Sequence, residues 1–292
     1  MKVDLYSILK SKQKWGGPGE LERHCQEIAR LKPDPLFATF SFQPGAVPFV
    51  NTLHSLDSES HQKIFGSRVI EEPQYTQALE AQVYIPATSQ AHMTRLAEKA
   101  TQDYLRHLES CLDLQSFKAV SVLVVGGGTG HLLLSIAHEL KRRYPKIAFS
   151  YTLLEPSSAM CEEAKKNFSQ HHYLFQLVPR MIEDPLNATL QVDWVLSHTM
   201  LHHLEHPLEA CTVMKQMARH LLTIRDLSRP PQFLFQKVWQ EQGQFYEGKM
   251  KELFGNSLMS SLSYPEFLSL AKHLGAEVET IAPMYQVLLH KK

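Results

Sequence analysis

Val122-Leu123-Val124-Val125-Gly126-Gly127-Gly128-Thr129-Gly130-His131-Leu132-Leu133-Leu134 is the stretch whose reading decides the fold. The apolar run from Ala119 to Val125, interrupted only by Ser121, has the length and composition of a buried strand. It passes through glycines directly into a helix. Glycine suits a backbone that must turn with unusual dihedrals and let a ligand come close to the main chain. The spacing excludes two common phosphate grips. A GxGxxG dinucleotide fingerprint begun at Gly126 would need its last glycine where His131 stands, and a P-loop would need a Lys that does not follow.

Downstream, strands and helices alternate. Strands are predicted at Ala148–Leu154, Leu174–Val178 and Trp194–Ser197, with helices at Ser157–Phe168 and Pro207–Leu221. A further strand falls at Leu222–Ile224 or at Gln232–Phe235. A helix over Tyr264–Leu274, stopped by Gly275, precedes two strands, Glu277–Ile281 and Tyr285–His290, whose short link permits an antiparallel hairpin. This is the pattern of a doubly wound, mainly parallel sheet. Its second strand ends in Leu154-Glu155-Pro156-Ser157, which sets a carboxylate beside the glycine loop, where it can accept both hydroxyls of a ribose.

With these pieces in order, the sequence resembles the class I S-adenosylmethionine-dependent methyltransferases. The matching segments are VLVVGGGTGHLLLSIA, LLEPSSAM, MIEDPL and VDWVLSHTMLHHLEHPLEA, and the similarity runs from about residue 95 to the C-terminus. The resemblance implies a seven-stranded Rossmann-like α/β sheet with an antiparallel C-terminal hairpin. It implies a domain at residues 95–292 that binds S-adenosylmethionine, with residues 1–94 as a helical cap over the substrate. It implies that Gly126, Gly127, Gly128 and Gly130 pass against the amino-acid part of the cofactor and that Glu155 holds the ribose. Pro156 and Ser157 would flank the adenine. Ile182 and Glu183 would contact its ring and amino group, with Met181 or Asp184 one step away in alignment. His198 would face the methionine portion. Families that methylate DNA bases or protein glutamine carry an Asn/Asp-Pro-Pro-Tyr segment here. This chain has Ser197-His198-Thr199-Met200, which argues against those substrates.

His198, His202, His203 and His206 follow the fourth strand closely. If the segment is helical from Thr199, His198 and His202 share a face. Three roles are open. A metal site would need a third ligand, and neither HExxH nor a Cys partner is present. A neutral imidazole can act as general base toward a hydroxyl or ammonium, which makes His198, His202 and His203 the candidate catalytic residues. Packing is the third. Methyl transfer itself is an in-line displacement in which alignment supplies most of the acceleration, so it asks for no particular residue.

The region before residue 118 is broken by turn-formers such as Trp15-Gly16-Gly17-Pro18-Gly19 and Pro44-Gly45-Ala46-Val47-Pro48. Short helices are predicted at Gly19–Leu31 and Ser58–Ile64. A longer one, from about Thr88 to Cys111, keeps Met93, Leu96, Ala100, Tyr104 and Leu108 on one face. The cap supplies Tyr6, Trp15, Phe37, Phe40, Phe42, Phe49 and Tyr84, and the later segment Phe233–Phe254 adds Trp239, Phe245 and Tyr246. These are candidates for a covered pocket.

Thirty Lys+Arg balance thirty Asp+Glu, so the formal net charge is +0 and no excess exists to attract a nucleic-acid backbone or an anionic membrane. The cysteines Cys25, Cys111, Cys161 and Cys211 are far apart and form no CxxC pair, which suits a reducing compartment. Asp4, Lys10, Lys12 and Lys14 leave no apolar stretch of signal-peptide length. The expectation is a cytoplasmic monomer or homodimer that binds no resident metal and alkylates a small molecule at oxygen, nitrogen or activated carbon. A protein or carrier-bound chain is the alternative substrate, and a non-catalytic cofactor-binding homologue the other class.

Overall fold

The computed structural model describes residues 58–70, 81–88, 91–282 and 285–292. Helix Gly19–Leu31, the Trp15–Gly19 turn and the aromatic residues from Tyr6 to Phe49 lie outside these.

Three helices come first: α1 (Ser58–Phe65), α2 (Ala81–Thr88) and α3 (Ala91–Cys111). Helix α3 runs unbroken through residues 94 and 95, where the expected cap and the expected cofactor-binding domain meet. Then the alternation begins, with β1 (Ala119–Val125), α4 (His131–Arg143), β2 (Ala148–Leu154), α5 (Ser158–Ser169), β3 (Leu174–Val178), β4 (Val192–His198), α6 (Pro207–Met217) and β5 (Ala218–Arg229). The C-terminal part comprises α7 (Gln232–Gly243), α8 (Gly248–Ser260), the short β6 (Leu262–Ser263), α9 (Tyr264–Leu274), β7 (Glu277–Ala282) and β8 (Tyr285–Lys291).

The strand order is β3-β2-β1-β4-β5-β8-β7, with β6 paired to β5 off this path. Strands β1 to β5 are mutually parallel, whereas β8 is antiparallel to both β5 and β7. The seven-strand expectation holds for the continuous path. The helix expected over Pro207–Leu221 ends at Met217. There Ala218 opens a 12-residue strand rather than the short Leu222–Ile224, because Leu221-Leu222-Thr223-Ile224 is claimed by ladders on both sides. Gln232–Phe235 opens helix α7 and is not a strand.

Alternation along β1 explains the two-sided wrapping. Leu123 and Val125 pack with α6 and α9 residues such as Met214 and Phe267, while Val122 and Val124 pack with Tyr104, Ile136 and Leu140 from α3 and α4. A strand buried on both faces must be apolar at successive positions, as β1 is. Helix α9 carries its boundaries in its sequence. Ser263 and Glu266 form a reciprocal capping box, Pro265 occupies the first turn, and Gly275 closes the helix at φ 61°.

The register is what builds a site. Val125 pairs with Leu154 on one side and with Ser197 on the other, so Gly126, Glu155 and His198 all emerge at the same carboxyl edge. The chain diverges there to either side of β1 and β4, the switch point at which open α/β sheets bind ligands.

Candidate active site

A cavity of ≈ 1290 Å³ opens at this edge. It is lined by Gly126, Gly127, Gly128, Glu155, Pro156, Ser157, Ile182, Glu183, His198, His202 and His203, so eleven cofactor or catalytic candidates besides Gly130 converge although they span about eighty residues of sequence. Gly130 lies behind the loop as N-cap of α4, where an added Cβ would stand 3.1 Å from the Phe168 ring.

The glycines serve different ends. Gly126, Gly128 and Gly130 take φ of 65°, 55° and 75°, a region that L side chains rarely adopt. A Cβ on Gly126 would meet Met200 Cγ at 2.3 Å, and one on Gly127 would meet Leu153 Cδ1 at 2.1 Å. At these two positions, then, an added side chain would meet protein, while the backbone itself still lines the cavity. Gly128 is the open one, with nothing nearer than Met160 Sδ at 4.0 Å. Gly126→Ala combines a strained φ with overpacking against Met200 and should lower unfolding free energy by roughly 2–5 kcal/mol. An unchanged denaturation midpoint would show that the loop relaxes freely.

Glu155 is 7% exposed, and each carboxylate oxygen accepts one backbone N–H, from Gly128 and from Ser157, both at 2.9 Å. Burial raises its pKa above the ordinary glutamate value, and the Ser157 and Gly128 N–H groups pull it back. Each oxygen retains a further lone pair toward the cavity. The acid thus ties the glycine loop to the start of α5 and still presents an acceptor pair. Ser157 caps α5 by accepting from the Met160 N–H, and Pro156 is exposed beside it.

Ile182 is buried, while Glu183 and Met181 reach solvent at the cavity rim. Asp184 accepts from the Leu186 N–H at 2.9 Å, so it is engaged in capping the next turn. Buried Asn187 donates to the carbonyls of Met181 and Ile182 at 2.7 and 3.0 Å and so shapes this loop.

The histidine segment is not an α-helix. Thr199 takes φ 48°, and only Leu201–His203 form a 3₁₀ turn, so His198 and His202 do not share a helical face. The cause is Asp226, 1% exposed on β5. Its Oδ2 accepts the Met200 and Leu201 N–H groups at 3.0 and 2.5 Å, and its Oδ1 accepts from Leu227 N–H at 2.6 Å and His202 Nδ1 at 2.7 Å. From the opposite side, buried Arg68 donates to the carbonyls of Leu201, His202 and Leu204. The turn is clamped by its amides and by its carbonyls at once. Burial alone would raise the Asp226 pKa, but the His202 imidazole and the donors hold it below the ordinary aspartate value.

His198 has a different environment. Its Nδ1 lies 3.3 Å from Tyr104 Oη, which itself donates to the Ser197 carbonyl at 2.6 Å, so the ring N–H points to Tyr104. Burial and the adjacent Arg225 guanidinium push its pKa down to about 3. His198 is thereby a neutral hydrogen-bonding group and a weak proton acceptor. The His203 ring lies tilted against that of His202, with centroids 4.0 Å apart, and His206 is exposed. Among the described residues no group of three or more His, Cys, Asp or Glu side chains is arranged to hold a metal.

Asp226, Arg225, Tyr104 and Arg68 were not foreseen. The signal available was Arg225-Asp226, a charged pair inside the apolar run Leu221 to Leu227. Of the aromatic candidates, Tyr84 and Tyr246 line the cavity, Phe245 is exposed, and Trp239 packs under Lys251 in the apolar cluster that also holds Tyr246.

Residues 123–222 match a family model described as a methyltransferase domain. No curated protein matches the chain. Among solved structures, the plantazolicin methyltransferase BpumL in complex with SAH is similar at 16% identity and TM-score 0.53, covering 76% of this chain and 91% of that one. The plantazolicin methyltransferase BamL gives 13% and 0.54, covering 74% and 92%. The magnesium protoporphyrin IX methyltransferase from Synechocystis PCC 6803 with bound SAH gives 12% and 0.52, covering 74% and 95%. At such identities the structural likeness speaks for the fold, which agrees with the matched domain and the site's construction. The chain thus carries a methyltransferase domain over residues 123–222, on a fold shared with solved SAH-bound methyltransferases.

Proposed function

We propose that the enzyme transfers a methyl group to a small-molecule nucleophile held in this cavity, with the sites divided as follows. The observation that carries the reading is Glu155 locked to the Gly128 amide while its remaining lone pairs face a cavity that also reaches the His202–Asp226 pair. S-adenosylmethionine supplies a methyl group already activated by its sulfonium. Glu155 fits its ribose diol, the open face of Gly128 fits its amino-acid end, and Pro156, Ser157, Ile182 and Glu183 stand where its adenine would be received.

On the acceptor side, His202 is the residue best built to take a proton. Asp226 accepts its Nδ1–H, which fixes the tautomer and leaves Nε2 as the basic atom. An imidazole so held stabilises the positive charge it gains, and general-base assistance of this kind contributes about 10²–10⁴-fold. His198 orients, since it stays neutral. His203 stands beside His202 in the cavity wall. Residues 58–70, within the expected cap, take part through Arg68.

The described cysteines Cys111, Cys161 and Cys211 are free, which supports a reducing, cytoplasmic setting. No helix among the described residues is long and apolar enough to cross a membrane.

Isothermal calorimetry with S-adenosylhomocysteine tests the donor half: saturable binding is expected, and none would sink the reading. Glu155→Ala should weaken that binding by more than about tenfold, the effect of losing a charged acceptor worth roughly 1.5–3 kcal/mol. Unchanged affinity would show that another residue holds the ribose.

A further inference from the structure

We infer that Arg225 is the receptor for a carboxylate on the acceptor substrate, so that the enzyme acts on an acid whose body is apolar or aromatic; this rests on the methyl-transfer reading above. Arg225 is 5% exposed yet lines the cavity. Its guanidinium sits 4.1 Å over the Tyr285 ring, and Nη1 is 3.4 Å from both His198 nitrogens. Nε is buried without a hydrogen-bond partner, and the Asp103 carboxylate that stands 4.0 Å from it also leaves Oδ2 without one. Asp226, next in the chain, is filled by its four other donors. A buried permanent cation with one long ion pair is under-compensated, and a planar fork of donors matches a carboxylate.

Position separates this group from the donor site. The glycine loop and Glu155 follow β1 and β2, whereas Arg225 lies on β5, across β4 from β1, in register with His198. The same cavity is walled by Leu227, Tyr246, Phe254 and Tyr285 of one apolar cluster and by Tyr84 and Met250 of another that shares Tyr246, with Tyr285 against the guanidinium. Such walls suit an apolar body, and the guanidinium suits its charged end. An acid held there reaches toward His202, which lines the same cavity.

The test is calorimetric and starts from protein saturated with S-adenosylhomocysteine. Benzoate, phenylacetate and 3-phenylpropionate are titrated against their carboxamides. At least one acid is expected to bind tenfold or more tightly than its amide, as a charge-assisted bidentate contact requires. That preference should fall below about threefold in Arg225→Gln and survive in part in Arg225→Lys, with affinity for S-adenosylhomocysteine within about threefold of wild type. No preference for any acid in the wild-type protein overturns the assignment, whatever the variants do. A tenfold loss of S-adenosylhomocysteine affinity in Arg225→Gln overturns it too, by giving the guanidinium to the cofactor's own carboxylate. Failure of S-adenosylhomocysteine to bind at all, seen before any acid is added, strikes the methyl-transfer reading instead.

Discussion

Asp226→Ala should lower the unfolding free energy by about 3–5 kcal/mol, the cost of stripping a buried charged partner from groups that remain buried. The substitution leaves three backbone amides and the His202 Nδ1–H without an acceptor in a site that is 1% exposed at its centre. Each orphaned donor costs about 1–3 kcal/mol unless the turn opens to water. Domains of ordinary stability hold only about 5–15 kcal/mol in total, so a shift of this size is plain in a urea or thermal denaturation curve. A loss under about 1 kcal/mol would show that Asp226 does not organise the turn. Asp226→Asn is informative beside it, since the amide can keep one acceptor oxygen but must turn an N–H₂ toward donors.

His202→Gln is expected to behave oppositely. Its side chain can still donate toward Asp226, so the fold should hold to within about 1.5 kcal/mol, near the worth of one hydrogen bond. Methyl transfer to a hydroxyl or ammonium acceptor should fall by about 10²–10⁴-fold, with binding of S-adenosylhomocysteine unchanged. The readout is S-adenosylhomocysteine released per enzyme. A variant within threefold of wild type would leave His202 a packing residue. The contrast between the two substitutions separates holding the turn from moving the proton.

Much of the frame was legible from local pattern alone. Strands β1, β2 and β3 have the boundaries that their composition indicates: β1, central in the sheet, is apolar on both faces, whereas β3, at the edge, is partly exposed. Helix α9 was legible from its apolar spacing and its stop at Gly275, and the capping box of Ser263 and Glu266 that the structure shows is equally local. Glu155 was legible because its place at the end of a strand next to a glycine turn is a local fact with a topological consequence. The histidine segment was misread for the converse reason. Helical spacing describes what a chain does when its own amides pair, whereas Met200 and Leu201 give theirs to a carboxylate 25 and more residues away. The strand β5 was read too short because Arg225 and Asp226 look like a break in an apolar run.

The sequence by itself determined the alternating architecture, the glycine turn and the acid that answers it, since each depends on residues within reach of a single element. Only the tertiary structure decided which glycines have protein packed where a side chain would stand, which histidine has a carboxylate behind it, and that Arg68 from the N-terminal region holds the same turn. Those outcomes depend on register and burial. Pairing Val125 with both Leu154 and Ser197 brings distant groups to one edge. Removing them from water then makes every unmatched charge and donor costly enough to choose its partner.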